Sequence, residues 1–244
     1  MTKFLKINSE KETKRIVRFL QETFKTQHIQ NAVIGLSGGI DSITCYYLLR
    51  RALPEKNIFP VYLPYYNKNT SEVLKNVISI KTITNTIFRE LRLDQKKDKI
   101  RAGNIIARVR MIILFDLAKK YNALVCGTEN KTEHLLGYFT RFGDGASDIE
   151  LIRHLYKTQV YQLAKYLEVP KQIINQHPTA GLWTGQTDEK EFGFTYEEAD
   201  QVLYLNFEKK HTTTVIQKQG FKNTKKIISF VKKNRFKLKT PYSL

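Results

Sequence analysis

Residues Gly35-Leu-Ser-Gly-Gly-Ile-Asp-Ser42 stand directly after a short apolar run and directly before a helix-like pattern. Two adjacent glycines let the backbone take positive φ and turn several N–H groups toward one point. Ser37 and Ser42 add hydroxyl donors, and the helix that follows presents its positive end. Together Gly35, Leu36, Ser37, Gly38, Gly39, Ile40, Asp41 and Ser42 read as a cradle for phosphate. The loop is not a Walker A motif, because no Gly-Lys-Ser/Thr follows, and its glycine spacing is not that of a dinucleotide fingerprint. Asp41 would repel an anion unless a cation bridges the two, which points to Mg²⁺. The plain alternative is a tight strand-to-helix turn. It accounts for a bare Gly-Gly better than for a glycine pair flanked by two serines and an aspartate.

Such a loop needs a rigid base. Ser9-x-x-Glu12 resembles a capping box opening a helix, and Ala32–Leu36 reads as a buried strand. A helix pattern then runs to Leu49, before Pro54. Ile58–Leu63 reads as a second strand, Thr70–Ile80 as a helix, and Thr86–Phe88 as a short strand. Ile100–Lys120 has the pattern of a long helix, and Ala123–Cys126 of another buried strand, ending at Gly127-Thr128. Strands alternating with helices predict an α/β fold, a Rossmann-like parallel sheet with helices on both faces. Ligands of such sheets bind beyond the carboxyl ends of the strands, near the point where strand order reverses. That directs attention to residues 37–42 and to the loop opening at Gly127. Further on, Gly137–Glu150 reads as a loop and Leu155–Leu167 as a helix. Thr179–Thr195 reads as an irregular segment of the kind that forms lids or binding loops. Two or three short helices are expected from Tyr196. No repeat or linker divides residues 1–244, so a single domain is expected, with a lysine-rich helical tail over about 205–244.

The composition is that of a globular protein, 41% hydrophobic and 26% charged, with a formal net charge of +18. A surplus of that size favours polyanionic partners. From Leu205 onward there are eleven Lys/Arg and one acid, Glu208. Cys45 and Cys126 lie in apolar runs and read as buried small side chains of a reducing compartment. No apolar run approaches the roughly 18 residues of a membrane span, and the N-terminus lacks a secretory pattern. The chain reads as cytoplasmic, with no membrane partner.

The SGGxDS loop resembles the pyrophosphate loop of the ATP pyrophosphatases, enzymes with an adenine nucleotide α-hydrolase-like fold that cleave ATP between its α and β phosphates. Further blocks follow in order: Gly127-Thr-Glu-Asn-Lys-Thr-Glu133, Leu136–Gly145, Asp148, Leu155-Tyr-Lys-Thr-Gln159 and Pro178–Glu189. The series is similar to the ammonia-dependent NAD synthetases over roughly Lys14 to Tyr196. The resemblance implies ATP-dependent amidation of deamido-NAD with ammonia through an adenylated nicotinate, releasing AMP and pyrophosphate. It implies that residues 35–42, Thr128, Lys157 and Thr179 bind ATP and that Asp41 and Glu133 hold Mg²⁺. It also implies that Arg108, Arg141, Asp148 and Lys237 contact deamido-NAD, and that Asp144 accepts a proton from ammonia. Family members are homodimers with the substrate at the interface, so the helix at 100–120 is a candidate for that contact. The rival favoured by the charge is a tRNA-modifying enzyme with the same loop. A nucleotide- or nucleic-acid-binding protein without activity is the other. The later blocks disfavour the first, and Asp41, Glu133 and Lys157 together disfavour the second, so a nucleic-acid partner is not expected.

The chain departs from the family pattern in places. Tyr62 stands where an arginine is common, Lys68 where a glutamine is common, and Glu129 where a small residue is preferred. Arg141 replaces the usual lysine. Only Lys237 matches the family's basic cluster in the tail. About 30 residues precede the first strand. That leaves no room for the amidase domain of glutamine-dependent relatives, so free ammonia or a separate protein is expected to supply nitrogen.

Overall fold

A computed structural model describes residues 4–66, 76–179, 185, 187–239 and 241–242. Helix α1 (Ser9–Thr26) leads into strand β1 (Asn31–Gly35), helix α2 (Ile40–Ala52) and strand β2 (Ile58–Val61). Helices α3 (Lys81–Glu90) and α4 (Lys99–Tyr121) precede strand β3 (Ala123–Gly127), helix α5 (Lys131–Leu136) and strand β4 (Ile149–Glu150). Helices α6 (Lys157–Tyr166), α7 (Lys171–Ile174), α8 (Asp188–Phe192) and α9 (Tyr196–Leu203) follow, with a π-turn over Tyr204–Glu208. Helices α10 (Thr213–Lys218) and α11 (Thr224–Asn234) end in a 3₁₀ turn, Arg235–Lys237.

The four strands are parallel in the order β2-β1-β3-β4. Alternation along β1 assigns the two faces. Ala32 and Ile34 join Ile16, Leu20, Leu48 and Leu163 of α1, α2 and α6 in one apolar cluster. Val33 joins Phe88, Ile106 and Val109 of α3 and α4 in another. Both faces are thus covered by helices, as the apolar strands require. A third cluster joins α5, α9 and the tail helices through Leu136, Val202, Ile216 and Ile227. The tail turns its isoleucines into this cluster and its lysines other than Lys237 outward, so it is more than a solvated surface. Cys45 and Cys126 are buried free thiols, and burial raises the pKa of both. No helix among the described residues is long and apolar enough to cross a membrane.

Local expectations fail where tertiary contacts decide. Asn8, not Ser9, caps α1, its Oδ1 accepting the Lys11 N–H at 2.9 Å. Thr86–Phe88 is helical within α3, because Thr84 and Phe88, one turn apart, are the buried positions against the core. Asn76–Ile80 is not helical, since Tyr62 pairs with Val77 in a parallel bridge and Ile78 N–H donates to Tyr62 O at 2.9 Å. The remainder of the expected helix, residues 70–75, and Lys68 lie outside the described residues. Gly137–Glu150 is a loop only as far as Ile149, where β4 pairs with Cys126 and Gly127. The segment expected to be irregular contains α8, and residues 180–184 and 186 of it lie outside the described residues.

Candidate active site

Strand order reverses beside β1: β2 lies on one side of it and β3, reached later in the chain, on the other. The loops leaving β1 and β3 therefore diverge and leave a crevice at their carboxyl ends. A cavity of about 760 Å³ occupies it, lined by all of residues 35–42 together with Thr128, Glu133, Asp144, Lys157 and Thr179.

The first loop is held open from within. Gly38 has φ +82°, a value that only glycine adopts without strain. Ser37 and Ser42 bring their hydroxyl oxygens within 3.1 Å of each other across the turn. Gly39 N–H donates to Ser37 Oγ at 3.2 Å, and Ser42 Oγ donates to Gly39 O at 3.0 Å. Gly39 caps α2 in extended conformation, so the first turn of that helix faces the cavity with its positive end.

Across the cavity, α5 and α6 start side by side. Asn130 caps α5: its Oδ1 accepts Glu133 N–H at 3.0 Å, and Glu133 Oε2 accepts Asn130 N–H at 3.3 Å. The same Asn130 donates through Nδ2 to Asp41 Oδ1 at 3.0 Å. One side chain thus joins the two loops. Lys157 opens α6, and its Nζ donates to Asp41 Oδ2 at 2.5 Å and lies 3.4 Å from Glu133 Oε1. Burial alone would lower the Lys157 pKa, but Asp41 and Glu133 hold it above its ordinary value. Burial raises Glu133, against the pull of Lys157. Behind them, Asp200 on α9 is fully buried. It accepts Thr132 Oγ1–H at 2.5 Å and Thr158 N–H at 2.8 Å, and Lys157 N–H donates to Thr132 Oγ1 at 2.9 Å. Burial raises Asp200 to about 6, with these hydrogen bonds opposing.

Asp41 and Glu133 present hard oxygens close to one ammonium. Two carboxylates completed by phosphate oxygens form a donor set that Mg²⁺ accepts. Among the described residues no group of three or more metal-ligating His, Cys, Asp or Glu is gathered, so phosphate would have to supply the remaining ligands.

The expected residues separate into two groups. The phosphate, metal and lysine positions meet in the cavity, and so does Asp144, whose Oδ1 accepts Thr140 N–H at 2.8 Å. The other four are not among the residues described as lining it. Arg108 donates from Nε to Arg141 O at 3.3 Å, and the Arg141 guanidinium lies over the Phe236 ring. Asp148 Oδ2 accepts Val125 N–H at 2.7 Å. Lys237 donates to Gly137 O at 2.7 Å and Phe139 O at 2.9 Å. The sequence reading missed Asn130, Arg110 and Asp200. Asn130-x-x-Glu133 is a legible capping pattern. Arg110, a charge within an apolar helix run, lines the cavity and donates from Nε to Leu63 O at 3.0 Å. Nothing local distinguishes Asp200.

Fold and site define the class: a parallel α/β protein with a glycine- and serine-rich loop at the switch point, facing an acidic pair and a buried lysine. Comparison with known proteins gives the family. The NAD synthase family model matches residues 12–241. The NH₃-dependent NAD⁺ synthetase of Fusobacterium nucleatum is 43% identical over 226 residues, covering 89% of this chain and 88% of that protein. Among solved structures, NMN synthetase from Francisella tularensis superposes with TM-score 0.81 at 31% identity, covering 98% of this chain and 99% of that one. The NH₃-dependent NAD synthetase from Campylobacter jejuni, in complex with nitrate, gives 0.79 at 30%, covering 98% and 100%. The chain belongs to the NAD synthase family.

Proposed function

We propose that this chain catalyses ATP-dependent amidation of deamido-NAD with ammonia, the last step of NAD biosynthesis. The observation that carries this reading is Lys157 set between Asp41 and Glu133, facing the SGGxDS cradle. A nicotinate carboxylate oxygen attacks the α-phosphorus of ATP. The bond to the β-phosphate breaks and pyrophosphate leaves, giving the adenylate. Ammonia nitrogen then attacks the acyl carbon, loses a proton, and AMP departs with the former carboxylate oxygen.

Residues 35–42 would hold the phosphates with backbone N–H groups and the Ser37 and Ser42 hydroxyls, and Thr128 and Thr179 would contact ATP. Lys157 would move from the carboxylates to the phosphates as negative charge grows on the leaving group. Asp41 and Glu133 would hold Mg²⁺, which supplies charge neutralisation at the phosphates. Asp144 would accept a proton from ammonia. Arg108, Arg141, Asp148 and Lys237 would contact deamido-NAD across a homodimer interface. Exposed Ile100 and Ile112 on α4 support that arrangement, since a second copy would cover them. The chain is read as one domain, acting in the cytoplasm.

The test is an assay with ATP, Mg²⁺ and ammonium, following AMP and the amidated product. Deamido-NAD and nicotinate mononucleotide serve as alternative acceptors, because one structural relative is an NMN synthetase. Product only from the mononucleotide would shift the substrate. No product from either would overturn the reading.

A further inference from the structure

Helix α4 forms one wall of the cavity. Ala107, Arg110, Met111 and Leu114 all line it, at the three- and four-residue spacing of a single helix face. The helix meets the rest of the site at both ends of that stretch. A Cβ on Gly143, next to Asp144, would come within 3.1 Å of Ala107 Cβ, and a Cβ on Gly35 within 3.1 Å of Leu114 Cδ1. Arg110 therefore stands between the loop that carries Asp144 and the first residue of the SGGxDS loop. Along the helix axis it is about 4.5 Å from the first contact and about 6 Å from the second.

A guanidinium in such a place needs acceptors. Arg110 satisfies one of its three nitrogens within the chain: Nε donates to Leu63 O at 3.0 Å. Among the described residues, Nη1 and Nη2 have no hydrogen bond and no carboxylate within 4 Å, and neither is closed off from solvent. Burial lowers the Arg110 pKa, with the Asp144 charge and Tyr62 opposing, and a guanidinium keeps its proton regardless. The Nε bond fixes the plane of the group, so its two free nitrogens form a fork suited to an oxyanion. Two Lys or Arg side chains are described as lining the cavity. Lys157 is already paired with Asp41 and Glu133, and Arg110 is not.

We infer that the Arg110 fork binds the α-phosphate of ATP and keeps hold of it through the adenylate until it leaves as AMP. This rests on the amidation proposed above and assigns the group that holds the phosphorus under attack. Residues 35–42 and Lys157 would hold the pyrophosphate that departs, and Asp144 would meet the ammonia that arrives. The α-phosphorus is bonded to the first and, once transferred, is one oxygen away from the acyl carbon that meets the second. It therefore lies between them, where Arg110 stands. The attacking carboxylate and the α-phosphate are both anionic, and the guanidinium offsets their repulsion as they approach. Its N–H groups donate hydrogen bonds to the non-bridging oxygens and transfer no proton, so the reaction balances without it.

The test is equilibrium binding of AMP, and of adenosine, which lacks the phosphate, to the wild type, Arg110→Met and Arg110→Lys. Loss of the charge-assisted pair corresponds to a roughly tenfold or larger fall in affinity. That fall is expected for AMP in Arg110→Met. A smaller one is expected in Arg110→Lys, whose single ammonium cannot serve the Leu63 carbonyl and two phosphate oxygens together. Adenosine should bind all three chains equally. In kinetics, ATP–pyrophosphate exchange in the presence of deamido-NAD should slow by roughly a hundredfold or more in Arg110→Met, with the KM for ammonium unchanged. Should Arg110→Met fail to fold, Arg110→Lys carries the same comparison of AMP with adenosine. Unchanged AMP affinity overturns the inference. So does an equal loss for AMP and adenosine, which would make Arg110 only a support for the loop at Leu63. Weaker deamido-NAD binding beside unchanged AMP binding also overturns it, by giving the fork to the carboxylate. Each of these leaves the amidation intact. A wild-type chain that makes no amide overturns the amidation and the inference with it.

Discussion

Lys157 Nζ and Asp41 Oδ2 lie 2.5 Å apart although 116 residues separate them in the chain. The pair joins the loop after β1 to the start of α6, and Glu133 completes it from α5. Removing the ammonium would leave two carboxylates facing each other in a poorly solvated site. Lys157→Met is therefore expected to lower stability by about 3–5 kcal/mol and to abolish turnover. Mg²⁺ should raise its melting temperature more than it raises that of the wild type, because a divalent cation takes over the neutralising role. Equal shifts in calorimetry would remove Asp41 and Glu133 as the metal site.

Asp200 acts at one remove, holding Thr132 and the Thr158 N–H so that α5 and α6 start in register. Asp200→Asn keeps one acceptor oxygen: its NH₂ group faces either the Thr158 N–H, donor against donor, or Thr132 Oγ1, which must then turn its hydrogen away and give up that bond. A cost of about 1–3 kcal/mol and a fall in kcat larger than the change in KM for ATP are expected. The pH dependence has a defined sign. The folded pKa is raised to about 6, so the native state keeps a proton that the unfolded chain has released. This group's contribution to stability is full below about pH 4 and is lost as pH rises through about 6, at up to roughly 1.4 kcal/mol per unit. Denaturant titrations from pH 4 to 7 should show that slope in the wild type and not in Asp200→Asn.

Gly127 and Glu150 should be coupled. Gly127→Ala is expected to cost about 1–3 kcal/mol by overpacking, since the new Cβ would overlap Glu150 Oε1 and crowd Ser147 Oγ at 2.6 Å. Adding Glu150→Ala should recover part of that loss. A double-mutant cycle measures it, and strict additivity would show that the two do not touch.

Lys237 ties the loop after α5 to the tail through two carbonyls. Lys237→Met should leave the sheet intact and speed amide hydrogen exchange in residues 137–145, with little change around residues 31–35. Uniform exchange in both segments would contradict a local anchor.

The loop over residues 35–42 was legible because its geometry is local: two glycines, two hydroxyls and a carboxylate within eight residues, between a strand and a helix. The parallel sheet followed from apolar strands spaced by helices, and both loops at the switch point were located before any contact was known. What could not be read depends on pairing across the chain. Thr86–Phe88 has β-branched neighbours yet is helical because Thr84 and Phe88 meet the core together. Two residues suffice for β4 only because Cys126 and Gly127 offer it an edge. Glu129 and Glu150 look like ordinary surface acids until Gly127 brings them together, and Asp200 shows no sign of its role until α9 folds under α6.

The tie from Lys237 back to Gly137 also sets an order of assembly during synthesis. The strands and the SGGxDS loop precede Lys237 in the chain and leave the ribosome before it. The loop over residues 137–145 gains its anchor only once residues 224–237 have emerged and docked. A nascent chain can therefore present residues 35–42 before the wall that Lys237 secures is closed. That wall is therefore completed after the loop it faces.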